Sequence, residues 1–118
     1  MDPLFRFTRL DAYQVATAFV VSADLVAAAL PRGRSYLSDQ LRRAALSIQA
    51  NIAEGAGEFS APDKARFYRI ALRSATECVA LLDSVEGLEL RDREALEEAR
   101  IMLSRIVSMT TKLVRRFG

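Results

Sequence analysis

Apolar residues recur three or four positions apart along four long stretches of this sequence, and no stretch alternates apolar and polar residues as a strand does. This spacing gathers the apolar side chains of each stretch on one side of an α-helix. It predicts helices at about residues 10–29, 38–54, 61–86 and 92–117. Because the connections are short, neighbouring helices should run antiparallel. The expected fold is an all-α, antiparallel up-down-up-down four-helix bundle, with residues 1–118 forming one domain.

Residue types at the helix ends agree with this prediction. Ser38 is a candidate N-cap for the second helix. Pro62 and Asp63 suit the first turn of the third helix, because proline has no amide to lose there and a carboxylate is stabilised at a helix N-terminus. Gly55 and Gly57 are expected to end the second helix and to form the turn, since glycine adopts positive φ angles easily.

Composition argues against an enzyme. The chain has no histidine, which removes the commonest general base and every His-containing metal site. The single cysteine, Cys78, falls in a helical pattern with no histidine to activate it, so a buried structural thiol is expected. We therefore expect no catalytic residue, no metal and no cofactor.

Residues 12–30 are mostly apolar and long enough to span a bilayer, but Gln14, Thr17, Ser22 and Asp24 interrupt the run. A charge within a span is costly, so a buried bundle helix is the better interpretation. No signal peptide is recognisable, which predicts a cytoplasmic protein with no membrane partner.

The first and third helices are apolar over an arc wider than one core requires. One interpretation is a tightly packed core with alanine-rich margins. The other is that one arc packs internally while another packs against a neighbouring subunit. We favour self-association, because alanine-lined helices allow a close approach of their backbones.

The formal net charge is only +2, but the expected topology sorts the charges between the two ends of the bundle. Helix dipoles explain part of the sorting, yet Lys64, Arg66 and Arg69 fall in the opening turns of the third helix, where cations are mildly unfavourable. An anionic partner is expected at this end. The basic residues gathered there are Arg6, Arg9, Lys64, Arg66, Arg69, Lys112, Arg115 and Arg116.

Arginines form the candidate nucleic-acid contacts. Arg66, Arg69 and Arg73 make one stripe on the third helix, although a solvated face is the default interpretation and Arg73 can also pair with Glu77. Guanidinium groups suit bidentate contact with phosphate. Aromatic residues are sparse on this face, so binding would be directed to the backbone and sensitive to salt. The candidate contacts are Arg66, Arg69, Arg73, Arg115 and Arg116.

Asn51 and Glu54 share one side of the second helix near its C-terminus. A carboxylate there opposes the helix dipole, so we expect Glu54 to form an ion pair or hydrogen bond with a neighbouring helix or subunit, while Asn51 ties the turn. The alternative is a polar site at the basic end. Catalysis by Glu54 is remote, since no second acid or metal ligand lies at usable spacing.

Four motifs carry a resemblance to a known family: LSDQLRRAALSI at residues 37–48, NIAEGAG at 51–57, FYRIA at 67–71 and SATE at 74–77. Together they resemble the 23S rRNA intervening-sequence protein family, whose members are often called four helix bundle proteins, over essentially the whole chain. The resemblance implies an up-down bundle that assembles into a ring, a homopentamer in known relatives. The motif residues given a structural or interface role are Asn51, Glu54, Gly55, Gly57 and Glu77.

The resemblance also implies partners. Some relatives are encoded within sequences inserted in rRNA genes, and distant relatives are accessory proteins that contact a reverse transcriptase and nucleic acid. Gln49 and Glu58 depart from the family pattern, and Glu58 weakens the nucleic-acid interpretation because arginine is frequent at that place. The expected function is a non-enzymatic, ring-forming accessory that binds RNA or a nucleoprotein such as a reverse transcriptase. The alternative is a protein-interaction scaffold without nucleic-acid affinity.

Overall fold

The computed structural model describes Phe7 and residues 9–89 and 92–118, so Arg6 lies outside the described residues. Over this range the protein is all-α, with four helices and no strand: α1 (Asp11–Ala28), α2 (Ser35–Gly57), α3 (Ala61–Gly87) and α4 (Arg93–Phe117). The prediction of an all-α fold with four helices is confirmed. Among the described helices, none combines the length and hydropathy that a membrane span requires.

The helices are arranged in a square around one core. In the described part of the chain, α1 packs against α2 and α4, and α3 packs against the same two helices. The pairs α1–α3 and α2–α4 have no close backbone contact, so they lie on the diagonals. As a result, α1 and α2 form one side of the bundle and α3 and α4 form the opposite side.

Hydrogen bonds show which residues of neighbouring helices lie opposite each other. Arg42 Nε of α2 donates to Asp24 Oδ1 of α1 at 2.7 Å, and Ser38 Oγ donates to the carbonyl of Ala27 at 3.2 Å. As the residue number rises along α2, that of its partner falls along α1. The same order relates Gln40–Glu77 and Ser47–Ser74 between α2 and α3, and Asp83–Arg100 and Tyr68–Phe117 between α3 and α4.

One apolar stripe from each helix fills the core, as the periodicity predicts. Removing a leucine, isoleucine or phenylalanine side chain from water stabilises the fold by about 1.5–3 kcal/mol. Alanines lie between these large residues and let the helices approach closely. The largest buried apolar side chains include Phe19, Leu41, Ile48, Ile52, Leu82 and Ile106.

Two expectations about the ends of α2 are wrong. The helix begins at Ser35, with Arg34 at the N-cap, so Ser38 lies inside it. The Ser38 hydroxyl is buried and reaches across to α1, which removes it as a cap. Gly55 lies within α2, whereas Gly57 is its last residue and so ends the helix as expected. Neither adopts the positive φ of a turn glycine, since among the described glycines only Gly33 does (91°).

The start of α3 agrees with the sequence. Ser60 is its N-cap, and its side chain accepts a hydrogen bond from the amide of Asp63 at 3.2 Å. Pro62 occupies the first turn, where a missing amide costs nothing. The turn between α2 and α3 is therefore three residues long, and it holds the N-terminus of α3 beside the C-terminus of α2.

Candidate nucleic-acid interface

The five predicted phosphate-contacting arginines are all exposed, and none forms an ion pair with another described residue. Arg66 stacks on its neighbour Phe67, with its Cζ 4.5 Å from the ring centroid. Arg69 reaches the end of α4, where its Nη2 lies 2.5 Å from the place that a Cβ on Gly118 would occupy. The expected pair between Arg73 and Glu77 is absent.

Glu77 instead accepts a hydrogen bond from Gln40 Nε2 at 3.3 Å, which joins α3 to α2. Arg73 therefore remains free to meet a phosphate. Of the five arginines, Arg115 and Arg116 lie in the last turn of α4 and Arg69 reaches the same end, while Arg66 and Arg73 lie on the outside of α3.

Lys64 has a structural partner that sequence reasoning missed. Its Nζ donates to the carbonyl oxygens of Ala56 at 3.1 Å and Gly55 at 3.4 Å. These carbonyls belong to the last turn of α2, whose partial negative charge a cation neutralises. The position of Lys64 is thus explained by the preceding helix rather than by its own.

A groove at this end of the bundle brings together side chains from α2, α3, α4 and the segment that precedes α1. We call it the end groove; its volume is about 420 Å³. It contains three cations and three aromatic rings, and the described part of its lining has no carboxylate. The described lining residues are Phe7, Arg9, Leu10, Ala56, Lys64, Tyr68, Leu113, Arg116 and Phe117. The third helix carries few aromatics on its arginine stripe, but the bundle end supplies them from other segments.

Cations and rings are in direct contact within the end groove. The Phe117 ring has Arg116 Cζ at 5.2 Å and Lys64 Nζ at 5.7 Å from its centroid. The centroids of Tyr68 and Phe117 are 6.0 Å apart. These contacts hold two positive charges against an apolar wall.

Tyr68 is 2% exposed, and its hydroxyl has no hydrogen-bond partner among the described residues. Burial raises the pKa of this phenol, while the Arg116 charge acts in the opposite direction. The hydroxyl therefore remains protonated at neutral pH and can donate a hydrogen bond into the groove.

The Asn51 side chain does not tie the turn as expected. Its Nδ2 donates within α2 to the carbonyl of Ser47 at 2.8 Å and to the Ser47 hydroxyl at 3.2 Å. That hydroxyl also pairs with Ser74 Oγ of α3 at 2.7 Å. Asn51 thus supports the contact between α2 and α3.

Glu54 is exposed, and no described residue forms an ion pair or hydrogen bond with it, so the expected partner within the chain is missing. With Phe7, Gly57 and Glu58 it lines a second depression of about 280 Å³. In the described part of the chain, no three acidic or cysteine side chains come together as a metal site would need.

Cys78 is fully buried in α3, as expected. Burial, and to a smaller extent the charge of Glu77, raises the pKa of its thiol to about 12. The thiolate is therefore negligible at neutral pH, and the side chain acts as a small apolar core residue.

Two apolar grooves lie on opposite sides of the bundle. The α1–α2 groove (about 260 Å³) includes Val21 and Leu46, which are 62% and 52% exposed. The α3–α4 groove (about 310 Å³) includes Val79, which is 40% exposed. Valine and leucine side chains this exposed, grouped in a concave surface, are typical of places where proteins meet.

A sequence model of the 23S rRNA-intervening sequence protein family matches residues 8–112. This match spans all four helices down to Lys112, and it confirms the resemblance carried by the motifs of α2 and α3. Comparison with curated proteins gives no match.

Proposed function

This chain belongs to the 23S rRNA-intervening sequence protein family, and we propose that it is a non-enzymatic accessory protein that binds RNA or a nucleoprotein. The observation that supports this best is the accumulation of unpaired cations at one end of the bundle and along α3. A nucleoprotein partner such as a reverse transcriptase would meet the same surface. We place this function in the cytoplasm.

The chemistry of the cations favours phosphate as their partner. Arg66, Arg69 and Arg73 occupy one stripe and have no ion pair within the described chain, so no carboxylate must be displaced before a phosphate binds. Arginine offers two parallel N–H donors to a phosphate. Glu58 is only partly exposed, and it lies with Glu54 in the second depression, which shares Phe7 with the end groove. The described lining of the end groove itself contains no carboxylate.

We further propose that the bundle is antiparallel, up-down-up-down, and assembles into a ring, a homopentamer as the resemblance implies. The descending order of the paired residues supports the antiparallel arrangement. The two apolar grooves support the ring, because two different adhesive surfaces on opposite sides of one subunit generate a head-to-tail assembly. A ring also presents several copies of the cationic surface at once, so individually weak contacts act together.

Binding of a short structured RNA at increasing salt tests this function. Counterion release predicts that the logarithm of the binding constant falls linearly with the logarithm of the salt concentration. Replacing Arg66, Arg69 and Arg73 together by glutamine should reduce the slope by roughly three units per bound subunit. A matched variant replaces the exposed Arg32, Arg93 and Arg105 by glutamine, and it should leave most of the slope intact.

The alternative function is a protein-interaction scaffold without nucleic-acid affinity, and the two exposed apolar grooves favour it. In that case the arginines serve contacts between subunits. RNA would then fail to bind at low salt, and the glutamine variants would change the oligomer instead. Equal effects of the two triple variants on RNA binding would also contradict the proposed α3 surface.

A further inference from the structure

The end groove brings cations, aromatic rings and a hydroxyl donor together on one concave surface. Its volume of about 420 Å³ falls within the range of small-molecule pockets. Lys64 and Arg116 are held against the Phe117 ring, so they lose little freedom when a ligand arrives. The Tyr68 ring is buried, while its hydroxyl is not fully enclosed and has no partner among the described residues. A donor that is open to the groove beside fixed cations can meet an anionic ligand.

We propose that the end groove binds a single nucleotide of a nucleic-acid strand, phosphate and base together. The proposal rests on the function inferred above and names the site at which one unpaired nucleotide is held. Arg9, Lys64 and Arg116 contact the phosphate, and the Tyr68 hydroxyl donates to one of its oxygens. The base lies against the apolar wall formed by Phe7, Leu113 and Phe117.

The mixed lining of the groove selects this ligand class. Inorganic phosphate would satisfy the cations but leave the apolar wall in water. An uncharged aromatic molecule would cover the wall but leave Arg9, Arg116 and the Tyr68 hydroxyl without an anionic partner. Lys64 would keep only its hydrogen bonds to the carbonyls of α2. A nucleotide joins an anionic phosphate to a planar ring, so it meets both halves. An exposed, unstacked nucleotide fits better than a duplex, because only an unpaired base can enter the groove.

Calorimetric titration of the whole protein separates these contributions. The probes are adenosine 5′-monophosphate, adenosine, inorganic phosphate and N-acetylphenylalanine, an aromatic carboxylate. We expect the nucleotide to bind at least about tenfold more tightly than each of the other three. A carboxylate that binds more tightly than the nucleotide would assign the groove to a peptide end and overturn the proposal.

Two arginines of α4 provide a matched pair of variants. Arg116 lines the groove, whereas the exposed Arg105 does not. Arg116→Gln removes a charge-assisted hydrogen bond and should weaken nucleotide binding about tenfold, while Arg105→Gln should change it less than about twofold. Tyr68→Phe keeps the buried ring and removes only the hydroxyl, and it should weaken the nucleotide but not adenosine. Thermal unfolding checks that all three variants remain folded.

Equal weakening by Arg105→Gln and Arg116→Gln would show diffuse surface attraction and overturn the groove as a site. Titrating RNA into the same variants distinguishes this failure from failure of the proposed function. If RNA binds in a salt-dependent way but the mononucleotide does not bind, only the proposal for the end groove is wrong. If the mononucleotide binds but RNA does not, the accessory function falls and the groove stands as a mononucleotide site.

Discussion

Gly55 is the residue at which α2 passes closest to the Tyr68 ring of α3. A Cβ added at Gly55 would lie 2.7 Å from Tyr68 Cε1 and 3.2 Å from the carbonyl oxygen of Lys64. Such distances are well inside van der Waals contact, and the ring is too deeply buried to move freely. The glycine is therefore required by packing, not by a turn.

Gly55→Ala should lower the free energy of unfolding by about 1 kcal/mol. Overpacking a core costs about 1–3 kcal/mol, and the better helix propensity of alanine returns about 1 kcal/mol of this. Urea unfolding followed by circular dichroism measures the difference. Gly57→Ala is the control, because Gly57 lies in the same helix with nothing within 4 Å of its added Cβ. It should stabilise slightly, and equal effects at the two positions would contradict the packing role.

The sequence shows a glycine near the end of the helical pattern of α2, but it does not show that packing requires this glycine. A helix pattern followed by glycines usually marks a C-terminus, which is why a turn was expected. Distinguishing a turn glycine from a packing glycine requires knowing that Tyr68 lies opposite it. The end groove was missed for the same reason, since Phe7, Tyr68 and Phe117 are far apart along the chain.

At the scale of the helices, a side chain of α3 caps the C-terminal end of α2. Lys64 belongs to α3 but hydrogen-bonds the last carbonyls of α2. This arrangement lets a cation that is unfavourable for its own helix stabilise the preceding one. It also fixes the three-residue turn, because both helix ends are held by the same side chain.

Lys64→Met should destabilise the protein by about 0.5–1 kcal/mol, the typical contribution of a cation at a helix C-terminus. Methionine keeps the apolar stem of the side chain, so the loss reports the ammonium group. Arg66→Met serves as the control, since Arg66 is exposed and packs on the Phe67 ring beside it rather than on a helix end. Thermal unfolding compares the two variants. A larger loss for Arg66→Met would contradict the capping role.

The existence of the four helices could be predicted because their apolar periodicity is a local property of the sequence. The start of α3 was also predictable, since Ser60, Pro62 and Asp63 act within one turn. The start of α2 was not, because it has no side-chain cap at all. Ser38 looked like a cap but hydrogen-bonds to Ala27 of α1, a tertiary contact that outweighs its local preference.

At the scale of the whole molecule, the square arrangement gives the two apolar grooves to different pairs of helices. Val21 and Leu46 lie on the α1–α2 side, and Val79 lies on the opposite α3–α4 side. If the α1–α2 groove of one subunit contacts the α3–α4 groove of the next, every groove is occupied only when the assembly closes into a ring. A contact between identical grooves would instead stop at a dimer. The two assemblies therefore respond differently to a change on one side.

Val21→Glu and Val79→Glu should each convert the proposed ring to monomers, because the new carboxylate must lose its water at the contact. The arginine in each groove, Arg42 or Arg100, already pairs with carboxylates of its own subunit. Light scattering would show the mass falling to the 13.1 kDa of one chain. Ala80→Glu adds the same charge at the next, exposed position outside the groove, and it should leave the ring intact.

The two valine variants mixed in equal amounts should form dimers and nothing larger. The Val21→Glu variant keeps an unmodified α3–α4 groove, which can contact the unmodified α1–α2 groove of the Val79→Glu variant. An oligomer that survives Val79→Glu but not Val21→Glu would mean that identical α1–α2 grooves meet, and a monomeric unmodified protein would mean that neither groove joins subunits.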